Sequence, residues 1–311
     1  MIEGGLELPP AGSAEVSVAG RRLRLTSLDK VLFPAAGFTK AQLIEYYAAV
    51  AGALLPHLAG RPLTLGRFPD GVDAPGFAQT ECRGRPEWVR TKTLRLRGGE
   101  VRNFCLLEDL PGLLWAANLG TIELHPYLGA GEQGEDAVLV VFDLDPAPGA
   151  EALAAAQVAL ALRAALERVD LAACAKTSGG AGLHVYAPLN QPHEYEAVRA
   201  FAAQVAGRLA SEHPDLVTTE TAVAERGPRV RIDWLQNHPR RSTIAPYSLR
   251  AAARPTVSAP LAWPELEAAV ASARGEALRF TPEQVVRRVR EQGDLFAPVL
   301  EVTRRLPGAP G

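Results

Sequence analysis

The stretch Val138-Leu139-Val140-Val141-Phe142-Asp143-Leu144-Asp145 decides the fold, because an apolar run of this length predicts a buried β-strand. Side chains alternate across a strand, so Asp143 and Asp145 are expected to point the same way. Two carboxylates held this close raise each other's pKa, and a divalent cation between them relieves that cost. We therefore predict a Mg²⁺ or Mn²⁺ site; a strand end running into solvent at Pro146 is the alternative.

A third carboxylate comes from a second predicted strand. The segment Arg229-Val230-Arg231-Ile232-Asp233-Trp234 alternates polar and apolar residues, which predicts a half-buried strand with Arg231 and Asp233 on one face. Asp233 can then join Asp143 and Asp145 from a neighbouring strand. Three carboxylates with arginines nearby are typical of sites where two cations clamp a transferring phosphoryl group. The chemistry indicated is phosphoryl or nucleotidyl transfer.

A glycine-rich turn lies between these two segments. Residues 174–186 predict a short strand, a turn and a second strand that carries His184. Backbone N–H groups of the turn can approach anionic oxygens, Ser178 adds a hydroxyl, and Lys176 and His184 can donate to a polyphosphate. The glycine spacing differs from that of a Walker loop. A hairpin turn that simply needs positive φ is the competing interpretation.

Together these motifs resemble a known family. Phe-Asp-Leu-Asp-Pro, Lys-Thr-Ser-Gly-Gly-x-Gly-Leu-His-Val-Tyr, Arg-Ile-Asp-Trp-x-Gln-Asn and Tyr-Ser-x-Arg occur in the order found in the polymerase domain of bacterial ATP-dependent DNA ligase D. That domain belongs to the archaeo-eukaryotic primase superfamily and works in non-homologous end joining. The resemblance implies a primase-polymerase that binds DNA ends or gaps with a 5′-phosphate and adds ribo- or deoxyribonucleotides to a 3′-hydroxyl. It also implies two Mn²⁺ or Mg²⁺ ions and a nucleoside triphosphate substrate.

The resemblance assigns roles to individual residues. Asp143, Asp145 and Asp233 are expected to be the catalytic metal ligands. The residues expected to bind the nucleotide are His125, Lys176, Ser178, His184, Arg226, Gln236, Arg250 and Phe77. Those expected to bind the DNA 5′-phosphate are Ser27, Lys30 and Lys40.

Lys40 also has a local reason to meet an anion. Thr39 suits the N-cap of a helix with Leu43 and Tyr47 on its apolar side, which places Lys40 at the positive end of the helix dipole. Without the resemblance, Lys30 and Lys40 are more simply explained as solvated surface charges.

The chain departs from the family pattern at two places. Family members commonly carry two adjacent phenylalanines and then a lysine, whereas here Phe77 is followed by Ala78, and Thr80 replaces the lysine. One lost stacking platform costs about 1–3 kcal/mol per base in single-strand binders. We expect weaker template ordering or a different substrate preference, with the metal chemistry retained. Gly66 replaces a basic residue before Arg67, which removes one expected phosphate contact.

Composition indicates a globular enzyme. The 311 residues are 47% hydrophobic and 22% charged, enough for one large core or two modest ones. The longest apolar run, 150–169, is interrupted by charges, and no signal peptide is visible, so we expect a cytoplasmic, nucleoid-associated protein with no membrane partner. The three cysteines are widely separated, which predicts buried reduced thiols and not a disulfide framework or a zinc site.

Charge is unevenly distributed, although the net charge is only −2. Residues 21–103 carry +7, 104–225 carry −12 and 226–311 carry +6. A groove that follows a nucleic-acid backbone beside a cation site has this pattern, and its binding weakens with salt. Many soluble enzymes share the pattern.

The predicted fold is α+β, a mixed α/β class, with a primase-type RRM-like catalytic sheet, a packed N-terminal subdomain and covering C-terminal helices. We expect a loose arm over 1–20, an N-terminal subdomain with the 5′-phosphate pocket over 21–130, a primase-like core over 131–300 and a tail over 301–311. The predicted helices cover 39–54, 108–119, Glu151–Val169, Glu194–Ser211, Trp263–Arg274 and Pro282–Gln292.

Two other functions stay open at this point. Phe-Asp-Leu-Asp also resembles the first motif of haloacid-dehalogenase-type phosphatases, where the first aspartate is a nucleophile and the second an acid/base. A catalytically weak DNA-end-binding module would keep the lysine pocket alone. No ligase or phosphoesterase motif is visible, so we expect a stand-alone protein or an excised domain, with Ku and a separate DNA ligase as partners.

Overall fold

The chain forms two compact units, each built from separate stretches of sequence. The computed structural model describes residues 6–96, 98–147 and 152–308. The first unit comprises residues 1–127, 244–258 and 281–294, and the second comprises 128–243, 259–280 and 295–311.

Strands and helices alternate along the chain. The strands are β1 (Ala14–Val18), β2 (Arg21–Leu25), β3 (Val31–Phe33), β4 (Phe38–Thr39), β5 (Leu63–Arg67), β6 (Phe77–Gln79), β7 (Thr91–Arg95), β8 (Val101–Cys105), β9 (Thr121–Pro126), β10 (Ala137–Pro146), β11 (Cys174–Thr177), β12 (Leu183–His193), β13 (Val217–Thr218), β14 (Val230–Asp233), β15 (Leu249–Arg250), β16 (Thr256–Val257) and β17 (Pro260–Leu261). The helices are α1 (Lys40–Leu58), α2 (Leu110–Asn118), α3 (Ala152–Glu167), α4 (Tyr195–Glu212), α5 (Val223–Arg226), α6 (Trp263–Ala271), α7 (Pro282–Gln292) and α8 (Pro298–Glu301).

The first unit contains a five-stranded sheet organised around β5. β6, β8 and β9 each pair antiparallel with β5, and β7 pairs with β8. Helix α1 begins with a capping box, in which Gln42 N–H donates to Thr39 Oγ1 and the Gln42 side chain accepts from Thr39 N–H. The predicted N-cap at Thr39 is confirmed.

One hairpin was not expected. The predicted loose arm over 1–20 is wrong for β1, which pairs residue by residue with β2. Ala19 and Gly20 connect the two strands, and both have positive φ, at 48° and 76°. Two such residues suit the tight turns of β-hairpins, but an alanine in this position gives no turn signal in the sequence. Residues 1–5 lie outside the described residues.

Cys82 and Cys105 form a disulfide, so the prediction of reduced thiols is wrong for this pair. Cys105 ends β8, and Cys82 N–H donates to Asn103 O on the same strand at 2.7 Å. The two cysteines are 23 residues apart. Cys82 lies in the loop after β6, and a tertiary contact between a loop and a strand this far apart in sequence cannot be deduced from cysteine spacing. Cys174, in the second unit, is buried.

The second unit is built on a six-stranded sheet of order β13-β14-β10-β12-β11-β17. Its pairs are antiparallel except for β13 with β14. Helices α3 and α4 pack against β10. The side chains of β10 that point away from the aspartates, those of Val140, Phe142 and Leu144, are fully buried. On the aspartate side, a core cluster consists of Leu128, Leu139, Val141, Cys174, Tyr186, Phe296 and Val299.

The mixed α/β class is confirmed. The predicted bounds of Pro282–Gln292 are confirmed, and the other predicted helices form with shifted ends. Glu151 lies outside the described residues. In the part of the chain that the structure describes, no helix is both long enough and apolar enough to cross a membrane.

Asn237 is expected to be a strong determinant of stability beside the site. It is 2% exposed, accepts from Val141 N–H at 2.8 Å and donates to Val141 O at 2.7 Å. Asn237→Ala leaves both backbone groups of a central strand without these partners, so we expect a loss of about 2–4 kcal/mol in unfolding free energy. Urea unfolding measures it, with the exposed neighbour His238→Ala as control. Equal stability of the two variants would contradict this prediction.

Candidate active site

Four adjacent strands of the second unit carry charged side chains in one row. The register pairs Asp233 with Asp143, Asp143 with His184, and His184 with Lys176. Residues directly opposite each other in antiparallel strands share a face. Asp145 lies two residues beyond Asp143 and therefore joins that face. The structure thus brings the three aspartates together at the end of a row that continues into two basic residues.

Crowding perturbs these acids. Burial raises the pKa of Asp143 to about 7, with a further contribution from the charges of Asp145 and Asp233. Burial also raises the pKa of Asp145, and the nearby Arg231 offsets only part of this effect. The side chains of Asp143 and Asp233 are 17% and 13% exposed. Ionising all three carboxylates on this face is therefore unfavourable in free energy, and a bound cation offsets that free energy.

Arg231 supplies positive charge to this face. Its guanidinium lies 2.9 Å from Asp233 Oδ2 and 3.8 Å from Asp145 Oδ2. Across the described residues, no group of three or more His, Cys, Asp and Glu side chains is arranged to hold a metal ion. The donor set nevertheless fits a divalent cation, because crowded carboxylate oxygens are the ligands that Mg²⁺ and Mn²⁺ prefer.

His184 and Lys176 form the basic part of the row. Lys176 Nζ lies 3.0 Å from His184 Nδ1, and His184 Nε2 lies 3.4 Å from Asp143 Oδ1. Because an ammonium group only donates, Nδ1 accepts and the ring proton is on Nε2, facing Asp143. Lys176 is fully buried. The geometry therefore favours an orienting role for Lys176 over direct contact with a ligand.

The turn between β11 and β12 lies at the end of this row. Ser178 N–H donates to Gly182 O at 2.9 Å, and Ser178 Oγ accepts from Gly180 N–H at 3.2 Å. Gly179 has a φ of 80°, so the hairpin's need for positive φ is confirmed. A Cβ on Gly182 would lie 2.7 Å from Leu144 O, so glycine lets the turn approach the aspartate strand. Phosphate binding by Ser178 stays a prediction.

Arg226 and Gln236 flank the third aspartate along the chain. Arg226 ends α5, donates to Thr221 O at 2.8 Å, and its charge favours the ionised form of Asp145. Gln236 is half-buried in the turn that follows β14. Their nucleotide contacts stay predictions.

In the first unit, the three predicted 5′-phosphate ligands lie together. Lys40 N–H donates to Lys30 O at 2.8 Å, and Lys30 N–H donates to Ser27 O at 3.1 Å. Lys30 Nζ lies 2.6 Å from Asp70 Oδ1. Lys40 is 7% exposed, and burial together with the charge of Lys30 lowers the pKa of Lys40 to about 8. Two adjacent ammonium groups at a helix start form a site suited to an anion.

His125 and Arg250 meet at Glu123, a residue that the sequence analysis did not identify. Glu123 Oε2 lies 2.9 Å from His125 Nε2, and Oε1 lies 3.4 Å from Arg250 Nε. Ala251 N–H also donates to Oε1, at 2.9 Å. The signal available in the sequence was the spacing of two between Glu123 and His125, which places both on one face of a strand.

Phe77 lies at the surface of β6, with 47% of the residue exposed. The guanidinium of Arg67 lies 5.2 Å from the centre of its ring. Thr80, in the position of the family's lysine, accepts from Arg102 Nη1 at 2.6 Å. Phe77 is thus available for stacking, whereas Thr80 contributes a neutral hydroxyl.

Comparison with known proteins identifies close similarities. A family model described as LigD, primase-polymerase domain, matches residues 39–296. The multifunctional non-homologous end joining DNA repair protein LigD of Mycobacterium tuberculosis is 38% identical over 290 residues, which cover 90% of this chain and 37% of that protein. The bifunctional non-homologous end joining protein LigD of Bacillus subtilis is 31% identical over 276 residues, covering 88% and 44%.

A solved structure is also similar to this chain. The polymerase domain of Mycobacterium tuberculosis ligase D, in complex with DNA, aligns with a TM-score of 0.82 and 36% identity. The alignment covers 91% of this chain and 99% of that one. By contrast, the chain spans only 37% and 44% of the two whole relatives, so the similarity concerns one domain of each.

Asp143→Asn is expected to stabilise the metal-free protein at neutral pH. The folded state raises the pKa of Asp143 to about 7, so its ionisation costs stability as pH rises from about 4 to 7. The variant's gain in urea midpoint over the parent, measured in EDTA, should therefore grow across this interval and then level off. The exposed acid Asp215→Asn is the control. An advantage that shrinks with rising pH would contradict the crowded-acid interpretation.

Proposed function

The chain belongs to the LigD primase-polymerase family, and from this membership we propose that it extends the 3′-hydroxyl of a DNA end or gap with ribo- or deoxyribonucleotides. Members of this family are metal-dependent nucleotidyltransferases. The finer assignment is a polymerase that uses two Mn²⁺ or Mg²⁺ ions and acts in non-homologous end joining, the process named for its relatives.

The observation that carries the proposal is the pairing of β10 with β14. It puts Asp233 directly opposite Asp143, with Asp145 on the same face, and the pKa of Asp143 is raised to about 7. Crowding of this kind destabilises the ionised carboxylates unless they bind a cation. Nucleotidyl transfer is the reaction in this family that needs such a cation site.

Each aspartate has an assigned task. Asp143 and Asp145 would hold both ions, and Asp233 would be a further ligand of the ion that serves the primer 3′-hydroxyl. Bound divalent cations favour ionisation of the attacking 3′-hydroxyl and neutralise the charge of the departing pyrophosphate. Arg231, 2.9 Å from Asp233, keeps positive charge on this face.

The groups beside the aspartates handle the nucleotide. His184 donates through Nε2 to a phosphate oxygen, and Lys176 keeps that tautomer in place through its 3.0 Å contact with Nδ1. Ser178 offers its hydroxyl from the turn. Arg226 and Gln236 contact the nucleotide from the loops next to β14, and the fixed fork of an arginine suits phosphate oxygens.

The first unit contributes further contacts. Ser27, Lys30 and Lys40 bind the 5′-phosphate of the DNA, and the backbone hydrogen bonds that link these three residues support this role. His125 and Arg250 grip nucleotide phosphates. Phe77 stacks on a base, and its 47% exposure supports this. Ku and a separate DNA ligase are the protein partners that we propose.

Family membership bears differently on the two alternative functions, the phosphatase and the end-binding module. Family membership disfavours the haloacid-dehalogenase-type phosphatase, because the similarity runs over residues 39–296 and not over the single Asp-Leu-Asp motif. A catalytically weak end-binding module shares the family, so an activity measurement decides between it and the polymerase.

The deciding experiment is extension of a fluorescent primer on a 5′-phosphorylated gapped duplex. All four nucleotides are supplied as ribo- or deoxyribonucleoside triphosphates, with Mn²⁺ or with Mg²⁺. We expect extension by the parent and by the exposed-acid control Asp215→Ala, and none by Asp143→Ala/Asp145→Ala, because the variant lacks the proposed metal ligands. Retained DNA binding by the double variant shows that it is folded. Binding by the parent without extension in either metal would instead establish the end-binding module.

Recognition of the 5′-phosphate is expected to weaken with rising pH. Lys40 has a pKa of about 8, so it loses its charge between pH 7 and 9, whereas the phosphate is already almost fully ionised. The affinity ratio between 5′-phosphorylated and 5′-hydroxyl duplexes should fall by about fivefold over this range. Lys40→Gln should show a small ratio that does not change with pH, and Lys92→Gln should behave like the parent. A parent ratio that is constant with pH would refute this role.

A further inference from the structure

Glu123 joins two residues that we assign to the nucleotide. Its carboxylate accepts from His125 Nε2 at 2.9 Å and from Ala251 N–H at 2.9 Å, and it lies 3.4 Å from Arg250 Nε. The three side chains differ in exposure, at 13% for Glu123, 22% for His125 and 41% for Arg250. The acid therefore lies beneath its two basic partners, which are the groups that solvent and ligands meet.

The contacts leave ligand-binding atoms available on both partners. Arg250 faces Glu123 through Nε at 3.4 Å, and its planar guanidinium carries two further N–H-bearing nitrogens, Nη1 and Nη2. His125 uses Nε2, which leaves Nδ1 on the other side of the ring. A carboxylate accepts only, so it orients His125 through Nε2 and Arg250 through Nε. An anion can then meet the guanidinium N–H groups of Arg250 and, when the imidazole is protonated, Nδ1–H of His125, and both groups are already orientated, which lowers the entropic cost of binding.

Glu123 remains ionised in this setting. Burial by itself raises the pKa of Glu123, but the hydrogen bond from His125, the charge of Arg250 and the N–H of Ala251 outweigh burial, and the pKa lies below its ordinary value. The contacts of Glu123 therefore involve a charged acceptor, and such hydrogen bonds are stronger than neutral ones.

Gly66 makes room for this arrangement. Gly66 on β5 pairs with Glu123 on β9, and a Cβ at position 66 would lie 2.8 Å from the Cβ of Glu123. No real side chain tolerates that distance without a shift of the strand. The departure from the family's basic residue at this position thus coincides with space for the acid.

We infer that Glu123 is a positioning residue, which orients His125 and Arg250 to grip the phosphates of a nucleoside triphosphate, and that Gly66 permits its placement. The inference rests on the proposed function for the identity of the ligand. It adds a third residue to the two expected from the sequence, and it gives an acid a role in binding an anion.

The test compares Glu123→Gln with the parent, using ATP as the probe. Glutamine keeps the shape of the side chain but has no charge and only one accepting atom. We expect the Kd for ATP, measured without DNA, and the KM in primer extension each to rise about tenfold, with kcat within about threefold of the parent. Affinity for the 5′-phosphorylated duplex, which depends on Lys30 and Lys40 of the same unit, should stay unchanged and report an intact fold.

Two further variants make the test specific. Glu100→Gln removes a surface ion pair in which Arg102 Nε lies 2.8 Å from Glu100 Oε1. Because such pairs contribute little, this variant should leave the Kd for ATP, the KM, kcat and the affinity for DNA unchanged. Gly66→Ala, which displaces Glu123 without altering its charge, should raise the Kd for ATP and keep the affinity for DNA.

The outcomes separate the two hypotheses. If the parent protein binds ATP but does not extend a primer, the proposed polymerase activity is refuted. The Kd for ATP still tests the role of Glu123 in that case. An unchanged Kd for ATP in Glu123→Gln overturns the positioning role even if extension is robust. A loss of ATP and DNA binding together shows a merely structural role and overturns it as well.

Discussion

The double pairing of strand β10 is the constraint on which the site depends. On one side, β14 sets Asp233 opposite Asp143, and on the other, β12 sets His184 opposite Asp143. Because side chains alternate, a slip of one residue in either pairing would turn these groups to opposite faces. The buried residues Val140, Phe142 and Leu144 on the other face of β10 oppose such a slip. Core packing on one face of β10 therefore fixes which charged groups meet on the aspartate face.

The acidic and basic halves of the charged row have different roles. The aspartates repel each other and are buried at a cost, which suits a place where cations and phosphates meet. On the basic side, Lys176 is fully buried. Its Nζ lies 3.0 Å from His184 Nδ1 and so orients the imidazole ring. A fixed donor beside a crowded group of acids is the arrangement expected of the metal and phosphate site that we propose.

The first unit shows the same principle with opposite charge. Burial, together with the charge of the neighbouring Lys30, lowers the pKa of Lys40. Elsewhere in the unit, Glu123 contacts both His125 and Arg250 through its carboxylate. In both units, buried side chains of like charge lie close together at a cost in folding free energy, and such clusters mark candidate ligand sites. In the first unit, the carboxylate of Glu123 orients its basic neighbours.

The sequence alone determined the strands that carry the three aspartates, the cap of α1 at Thr39 and the mixed α/β class, since period, capping and turn residues are local signals. It also supported the family, because several motifs occur in order. Tertiary structure alone decided the row from Asp233 to Lys176, the burial of Lys176, the Cys82–Cys105 disulfide and the place of Glu123. These depend on which strands pair and in which register, and that choice is made by packing between distant segments, which no local pattern records.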